Sequence, residues 1–136
     1  MAASILRFNT SIVTGTLNTV SNSSVTGSAL FIGTSFLKVE HISAYLIVTA
    51  ATSSITVTPY WQVSNDNTTY KTIHNDPTVP LNLPVATGAE NVTEAVPAPK
   101  GIEGYRYARC MLLVGGATGG ASDLYSIGYS YRQNYA

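Results

Sequence analysis

Hydrophobic and polar residues alternate with a period of two through several stretches of this chain, and no stretch carries the spacing of an amphipathic helix. Ser54 to Ile73, SITVTPYWQVSNDNTTYKTI, shows the alternation most clearly. Ile55, Val57, Trp61 and Val63 fall on one parity and Thr56, Thr58, Tyr60 and Gln62 on the other, as a strand with one buried face requires. Pro59 lies on the apolar parity and cannot donate to a ladder, so this strand is expected to run along an edge for part of its length or to bulge there. The polar run Ser64-Asn65-Asp66-Asn67 turns the chain, and Thr69 to Ile73 resumes β-favouring residues. That pattern predicts a hairpin.

The same reading extends along the chain. In Val39 to Ala50, residues Ile42, Ala44, Leu46, Val48 and Ala50 share one parity, joined at the start by Glu40, against His41, Ser43, Tyr45 and Thr49. Ser28 to Leu37 is an apolar, β-prone run with Gly33 as a bend or bulge. Gly104 to Val114 sets Ala108, Cys110, Leu112 and Val114 against Tyr105, Tyr107, Arg109 and Met111, and Leu124 to Arg132 sets Tyr125, Ile127, Tyr129 and Tyr131 against Ser126, Gly128, Ser130 and Arg132. These two strands are expected to be central and to pair as a second hairpin through the glycines of 115–120. Residues 1–27 have short apolar pairs without a clear period, which suits either an N-terminal arm or a first strand, ahead of a domain at 28–136. Between His74 and Gly101 stand Pro77, Pro80, Pro84, Pro97 and Pro99 out of six prolines in all, so this segment is expected to be a surface excursion with room for a short strand at 81–85. Six to eight strands with Gly, Pro and Asn punctuation predict an all-β, single-domain antiparallel β-sandwich, jelly-roll-like, with a long Pro-rich loop.

Composition narrows the function. Charged residues make up 10% of the chain, seven basic and seven acidic with zero formal net charge, against about 25% charged in ordinary soluble domains. Without clustered Lys and Arg, a nucleic-acid partner is not expected. A neutral surface is poorly protected against association, so it is expected to be covered by protein partners. No apolar run is long enough to cross a bilayer as a helix, and the first ten residues lack a signal-peptide core, so no membrane partner and synthesis in a cytosol without export are expected.

Candidate chemistry is sparse. His41 and His74 stand alone, without a spacing that presents metal ligands from one element, and Asn65-Asp66-Asn67 lacks the further carboxylates of a calcium loop. No serine lies in a nucleophile elbow, no two acids are paired by spacing, and the glycines at 115–120 lack the GK[ST] ending of a phosphate loop. Cys110, the single cysteine, sits in an apolar run as a buried thiol would. No catalytic residue, cofactor or metal is expected, and the chain is read as a non-enzyme. Aromatic side chains are the remaining class: Trp61 lies on the core parity, whereas Tyr60 and Tyr70 flank the polar turn.

Tyr60 to Ile73, YWQVSNDNTTYKTI, and Gly104 to Arg132, GYRYARCMLLVGGATGGASDLYSIGYSYR, together resemble the capsid decoration, or cement, proteins of tailed bacteriophages. The resemblance lies in an aromatic strand entering a Ser-Asn-Asp turn and a YRYAR strand followed through glycines by a Tyr-rich one. It implies a virion protein, made in the host cytoplasm, that binds the outer surface of an icosahedral capsid, often as a homotrimer, and bridges neighbouring subunits of the major capsid protein. Partner contacts are then expected near the N-terminus, at Ile5, Leu6 and Phe8, and in the Pro-rich loop, at Leu81, Leu83 and Val85. The alternative is a carbohydrate-binding or host-attachment module of a phage tail or fibre, using Tyr60, Asn65, Asp66, Asn67 and Tyr70.

Overall fold

Nine strands and one short 3₁₀ turn make up the computed structural model, which describes residues 3–17, 23–33, 37–49, 55–73, 91–99, 101–116 and 123–135. The strands are β1 (Ala3–Thr16), β2 (Ser23–Thr26), β3 (Leu30–Phe31), β4 (Leu37–Thr49), β5 (Ile55–Ser64), β6 (Lys71–Ile73), β7 (Asn91–Pro97), β8 (Tyr107–Gly116) and β9 (Leu124–Tyr135). They pair antiparallel from the outside of the sequence inward: β1 with β9, β2 and β3 with β8, β4 with β7, and β5 with β6. This nesting is that of one long hairpin. Rolling the hairpin sets β4 beside β9 and β5 beside β8, which closes a sheet β1-β9-β4-β7 and a sheet β2-β8-β5-β6, with β3 also on β8. Two antiparallel sheets joined in this order are a jelly roll.

The nesting corrects the expected second hairpin. β8 and β9 are consecutive but lie in different sheets. β8 already has β2, β3 and β5 as neighbours and β9 has β1 and β4, so neither has a free edge for the other. The hairpin of β5 and β6 does form, with Trp61 opposite Ile73 and Val63 opposite Lys71. Because β6 is only three residues long, Pro59 lies beyond it, and there β5 pairs with β8 alone among the described residues. A residue without an N–H is tolerated at such a position.

The alternation of β5 and β8 is met side chain by side chain: Val57, Pro59, Trp61 and Val63, and Ala108, Cys110, Leu112 and Val114, are all buried. In β4 the parity switches. Val39 is buried, then Ile42, Ala44, Leu46 and Val48, because His41 adopts a positive φ of 53° and the register with β9 shifts between Glu40 and Ser43. This bulge takes Glu40 off the core parity that the sequence suggests for it. Its carboxylate instead accepts a hydrogen bond from Asn134 Nδ2 at 2.8 Å. Part of the proline-rich segment is also a strand: β7 lies on the outer side of β4 and ends on Pro97. Residues 74–90, including the short strand expected at 81–85, lie outside the described residues.

One side chain ties the two sheets together. Tyr129 of β9 is fully buried, packs against Trp61 of the opposite sheet with ring centroids 6.0 Å apart, and reaches the break between β2 and β3. There its hydroxyl accepts from the Cys110 N–H at 2.9 Å and donates to the Ser28 carbonyl at 2.7 Å. Gly27 sits in the same gap, donating its N–H to the Cys110 carbonyl at 2.9 Å. A Cβ on Gly27 would stand 2.6 Å from that carbonyl oxygen and 2.8 Å from the Tyr129 hydroxyl.

Two substitutions test this junction. Tyr129→Phe leaves a buried donor and acceptor unmatched and is expected to lower unfolding stability by about 1–3 kcal/mol. Gly27→Ala crowds backbone that has no room to retreat and is expected to cost at least ~1–3 kcal/mol. Urea unfolding midpoints at unchanged slope measure both.

Candidate functional site

The outer face of the β1-β9-β4-β7 sheet is built by residues that alternate with the core. On β9, Ile127 and Tyr129 point inward, so Leu124, Ser126 and Gly128 point outward. On β4, Leu46 and Val48 point inward, so Tyr45, Ile47 and Thr49 point outward. Register then brings Thr16, Leu124 and Thr49 into one row and Thr14, Ser126, Ile47 and Thr93 into the next. A shallow recess opens there, lined by Thr14, Thr16, Ile47, Thr49, Leu124 and Ser126. It contains no charged side chain. Arg132 and Glu40, opposite one another in the register, bring charge only at the far end of the face.

β1 is the outer strand of this sheet and the least covered element. Asn9 and Ser11 have positive φ values of 48° and 55°, and the register with β9 slips from Arg7↔Tyr131 to Thr10↔Tyr129 and then to Val13↔Ile127. These are bulges. The first is held by the Asn9 N–H, which donates to Ser130 Oγ at 3.2 Å, and by the Asn9 side chain, which lies over Gly128 where a Cβ would collide with its amide oxygen. Exposed apolar side chains gather along the strand: Ile5 39%, Leu6 54%, Phe8 72% and Ile12 50% exposed. Leu6 and Ile12 belong to the outer face, Leu6 opposite Arg132 and Ile12 beside Gly128. Ile5 looks to the other side.

Among the partner residues expected from the sequence, Ile5, Leu6 and Phe8 are thus exposed and adjacent on β1. Leu81, Leu83 and Val85 lie outside the described residues. Sequence reading missed Ile12, Ile47 and Leu124. A signal was present for the last two, because each is an aliphatic residue on the polar parity of its strand.

The alternative set, around the turn after β5, is organised differently. Ser64 Oγ accepts from the Asp66 and Asn67 N–H groups at 3.2 and 3.0 Å and donates to Asp66 Oδ1 at 2.8 Å, and the same Oδ1 accepts from the Thr68 and Thr69 N–H groups at 2.9 and 2.7 Å. Asn65 Oδ1 accepts from the Arg106 N–H at 3.1 Å, and Asn67 Oδ1 accepts from the Tyr70 hydroxyl. The Tyr70 ring is capped by the Arg109 guanidinium, 3.7 Å from its centroid, and Arg109 Nε donates to Gln62 Oε1 at 2.9 Å. Tyr60 extends across β8 to donate to Ser24 Oγ at 2.7 Å. The Asp66 and Asn67 acceptors therefore hold the turn itself, as side-chain turns of Ser, Asn and Asp do, the Asn65 acceptor ties it to Arg106, and one face of the Tyr70 ring is taken by Arg109.

Cys110 is buried, and that burial pushes its thiol up to about 12, so no thiolate forms near neutral pH. Among the described residues no three His, Cys, Asp or Glu side chains gather as metal ligands, and no helix is long and apolar enough to cross a membrane. The Asp66 carboxyl is lowered from 3.8 to about 2, chiefly by the Thr69 and Thr68 N–H groups. A depressed carboxyl stabilises the fold fully above its unfolded value and ceases to as the pH falls through its folded one. The turn should therefore loosen between about pH 4 and pH 2. NMR titration of Asp66 should give a midpoint near 2, and a midpoint at the ordinary 3.8 would show that the two amides do not hold it.

No family model matches the chain, and no curated protein sequence matches it. Solved structures do. The chain is similar to one in the T13 particle of infectious bursal disease virus (TM-score 0.51, 10% identity, 99% of this chain and 31% of that one). It is similar also to a chain in the structure of that virus's Gx strain (TM-score 0.50, 9% identity, 99% and 33%) and to one in T=1 particles derived from infectious bursal virus (TM-score 0.50, 10% identity, 99% and 31%). The chain spans about a third of the length of each. At this identity the likeness is one of fold, and nearly the whole of this chain takes part in it.

Proposed function

We propose that the protein is a structural component of a virion, and that within this class it binds the outer surface of an icosahedral phage capsid and bridges neighbouring copies of the major capsid protein. The observation that carries the reading is the sparsely charged outer face of the β1-β9-β4-β7 sheet, whose recess has no charged side chain and whose Arg132 and Glu40 lie at the far end. Leu6, Phe8, Ile12, Ile47 and Leu124 are exposed together on that sheet among threonine and serine hydroxyls, the composition of a surface meant to be covered by protein rather than by water or a polyanion. The jelly-roll likeness to chains from virus particles agrees with it. Low overall charge also fits a protein held in a dense assembly. No enzymatic step is assigned.

The carbohydrate-binding alternative is less favoured, because the Tyr60 hydroxyl and the acceptors of Asn65, Asp66 and Asn67 are engaged within the chain. Shells assembled from the cognate major capsid protein and sedimented with the purified chain should carry it in a fixed ratio to capsid subunits. The double variant Ile47→Lys with Leu124→Lys sets two charges on the face and is expected to weaken binding by about tenfold or more, roughly 1.4 kcal/mol at least. Tyr60→Ala and Tyr70→Ala should leave it unchanged. Protein that stays in the supernatant at every ratio, or binding abolished by the tyrosine variants alone, would sink this assignment.

A further inference from the structure

Each sheet of a jelly roll has two edges, and an edge strand exposes unpaired N–H and C=O groups that can seed pairing with another chain. Three of the four edges here are blunted in the usual ways. β6 is three residues long, β2 and β3 are four and two residues with a break between them, and β7 closes on a proline. β1 is fourteen residues long. Its bulges at Asn9 and Ser11 interrupt the middle of the strand; Ser4 to Arg7 remain in register with β9, and Phe8 follows at the entry to the first bulge, with no proline in the segment. Arg7 is the one charge in it, and its Nε leans back to donate to Gln133 Oε1 at 3.1 Å.

We infer that this segment of β1 pairs antiparallel with the same segment of a second copy, across a two-fold axis perpendicular to the sheet. Such an axis keeps the outer face of one copy continuous with the outer face of the other, so residues opposite each other must share parity and the axis must run between the two copies of one residue. Centring on Arg7 would set like charges opposite one another. Centring on Leu6 sets Leu6 opposite Leu6, Phe8 opposite Ser4 and Ile5 opposite Arg7. That register engages the most exposed apolar side chain of the strand, contains no like-charge pair, and ends where the Asn9 bulge begins. A second copy suits the segment better than a charged partner because everything in it except Arg7 is uncharged. The product is an eight-stranded sheet with a continuous outer face, in which Arg132 and Glu40 of each copy lie in the row of Leu6 and the uncharged recesses lie toward the two far ends. The pairing does not depend on the virion reading, whereas its use to span two capsid subunits does.

Light scattering of the purified chain should give the mass of two 14.4 kDa copies, shifting to one copy in Leu6→Glu. The register is read by cross-linking. Leu6→Cys should form an intermolecular disulfide under mild oxidation, since opposed residues of an antiparallel ladder sit ~4.5–5.5 Å apart at Cα, within disulfide reach. Phe8→Cys alone should stay unlinked, and Ser4→Cys combined with Phe8→Cys should link. The native Cys110 is buried and does not compete. A one-copy or three-copy mass overturns the inference, as does linking by Phe8→Cys with none by Leu6→Cys. Failure of the chain to bind shells while Leu6→Cys still links would count against the proposed function and leave the pairing standing.

Discussion

The hydroxyl of Tyr129 is the point on which the sandwich is fixed. A strand that breaks, as the chain does between β2 and β3, leaves its neighbour with backbone groups that have lost their ladder partners, and inside a core those groups must be matched. At Cys110 the carbonyl is matched by Gly27 and the N–H by a phenol from the opposite sheet. Burial pushes the Tyr129 phenol up, so the proton stays on the oxygen and remains available to Ser28. The same contact sets the relative position of the two sheets, brings Trp61 against Tyr129, and requires glycine at position 27. The indole N–H of Trp61 finds no acceptor among the described residues; we have no physical account of it.

Much of the fold was legible because burial on one face imposes a period of two. β4, β5 and β8 could be read from Leu46, Trp61 and Cys110 and their neighbours, and the choice of an antiparallel sandwich followed. Two kinds of information were not local. Which strands pair is decided by the rolling of a long hairpin, so the glycine-linked β8 and β9 looked like partners although every edge they own is taken. Bulges are the other kind: a single positive φ at His41 reverses the parity of β4, and the charge of Glu40 on the core parity is the one trace of it in the sequence.

The candidate face was legible in part for a related reason. Ile5, Leu6 and Phe8 were expected as contacts because the resemblance points to the N-terminal segment, and exposed apolar residues on both sides of β1 give that segment no one-sided alternation. Ile47 and Leu124 were hidden inside strands whose other parity was so regular that a single aliphatic residue among Ser, Thr and Tyr passed as noise. On the opposite sheet the polar turn attracted a ligand reading from its residue types alone. There Asp66 and Ser64 are hydrogen-bonded within the turn and the Tyr70 ring stacks against Arg109. Residue types that bind sugars and those that build a tight turn are the same types, and only hydrogen-bond accounting separates the two uses.

The distribution of edges links the fold to its use. In a jelly roll the first and last strands pair, so the chain's beginning becomes an outer strand whose far side is open. Short length, a break or a terminal proline quiet the other three edges, each at positions where the rolled hairpin is already changing direction. β1 cannot be shortened in the same way at its C-terminal end, because Val13 and Gly15 pair there with Ile127 and Tyr125 and the Tyr125 ring lies over Gly15. Its length is therefore tied to the core at one end, while at the other end Ser4 to Phe8 extend along β9 with little above or below them. The bulge at Asn9 separates these two tasks. With the bulge at Ser11 it lets residues 13–16 serve the interior with one register and residues 3–7 keep another, so that the part of the strand open to a partner can be altered without disturbing the part that closes the core.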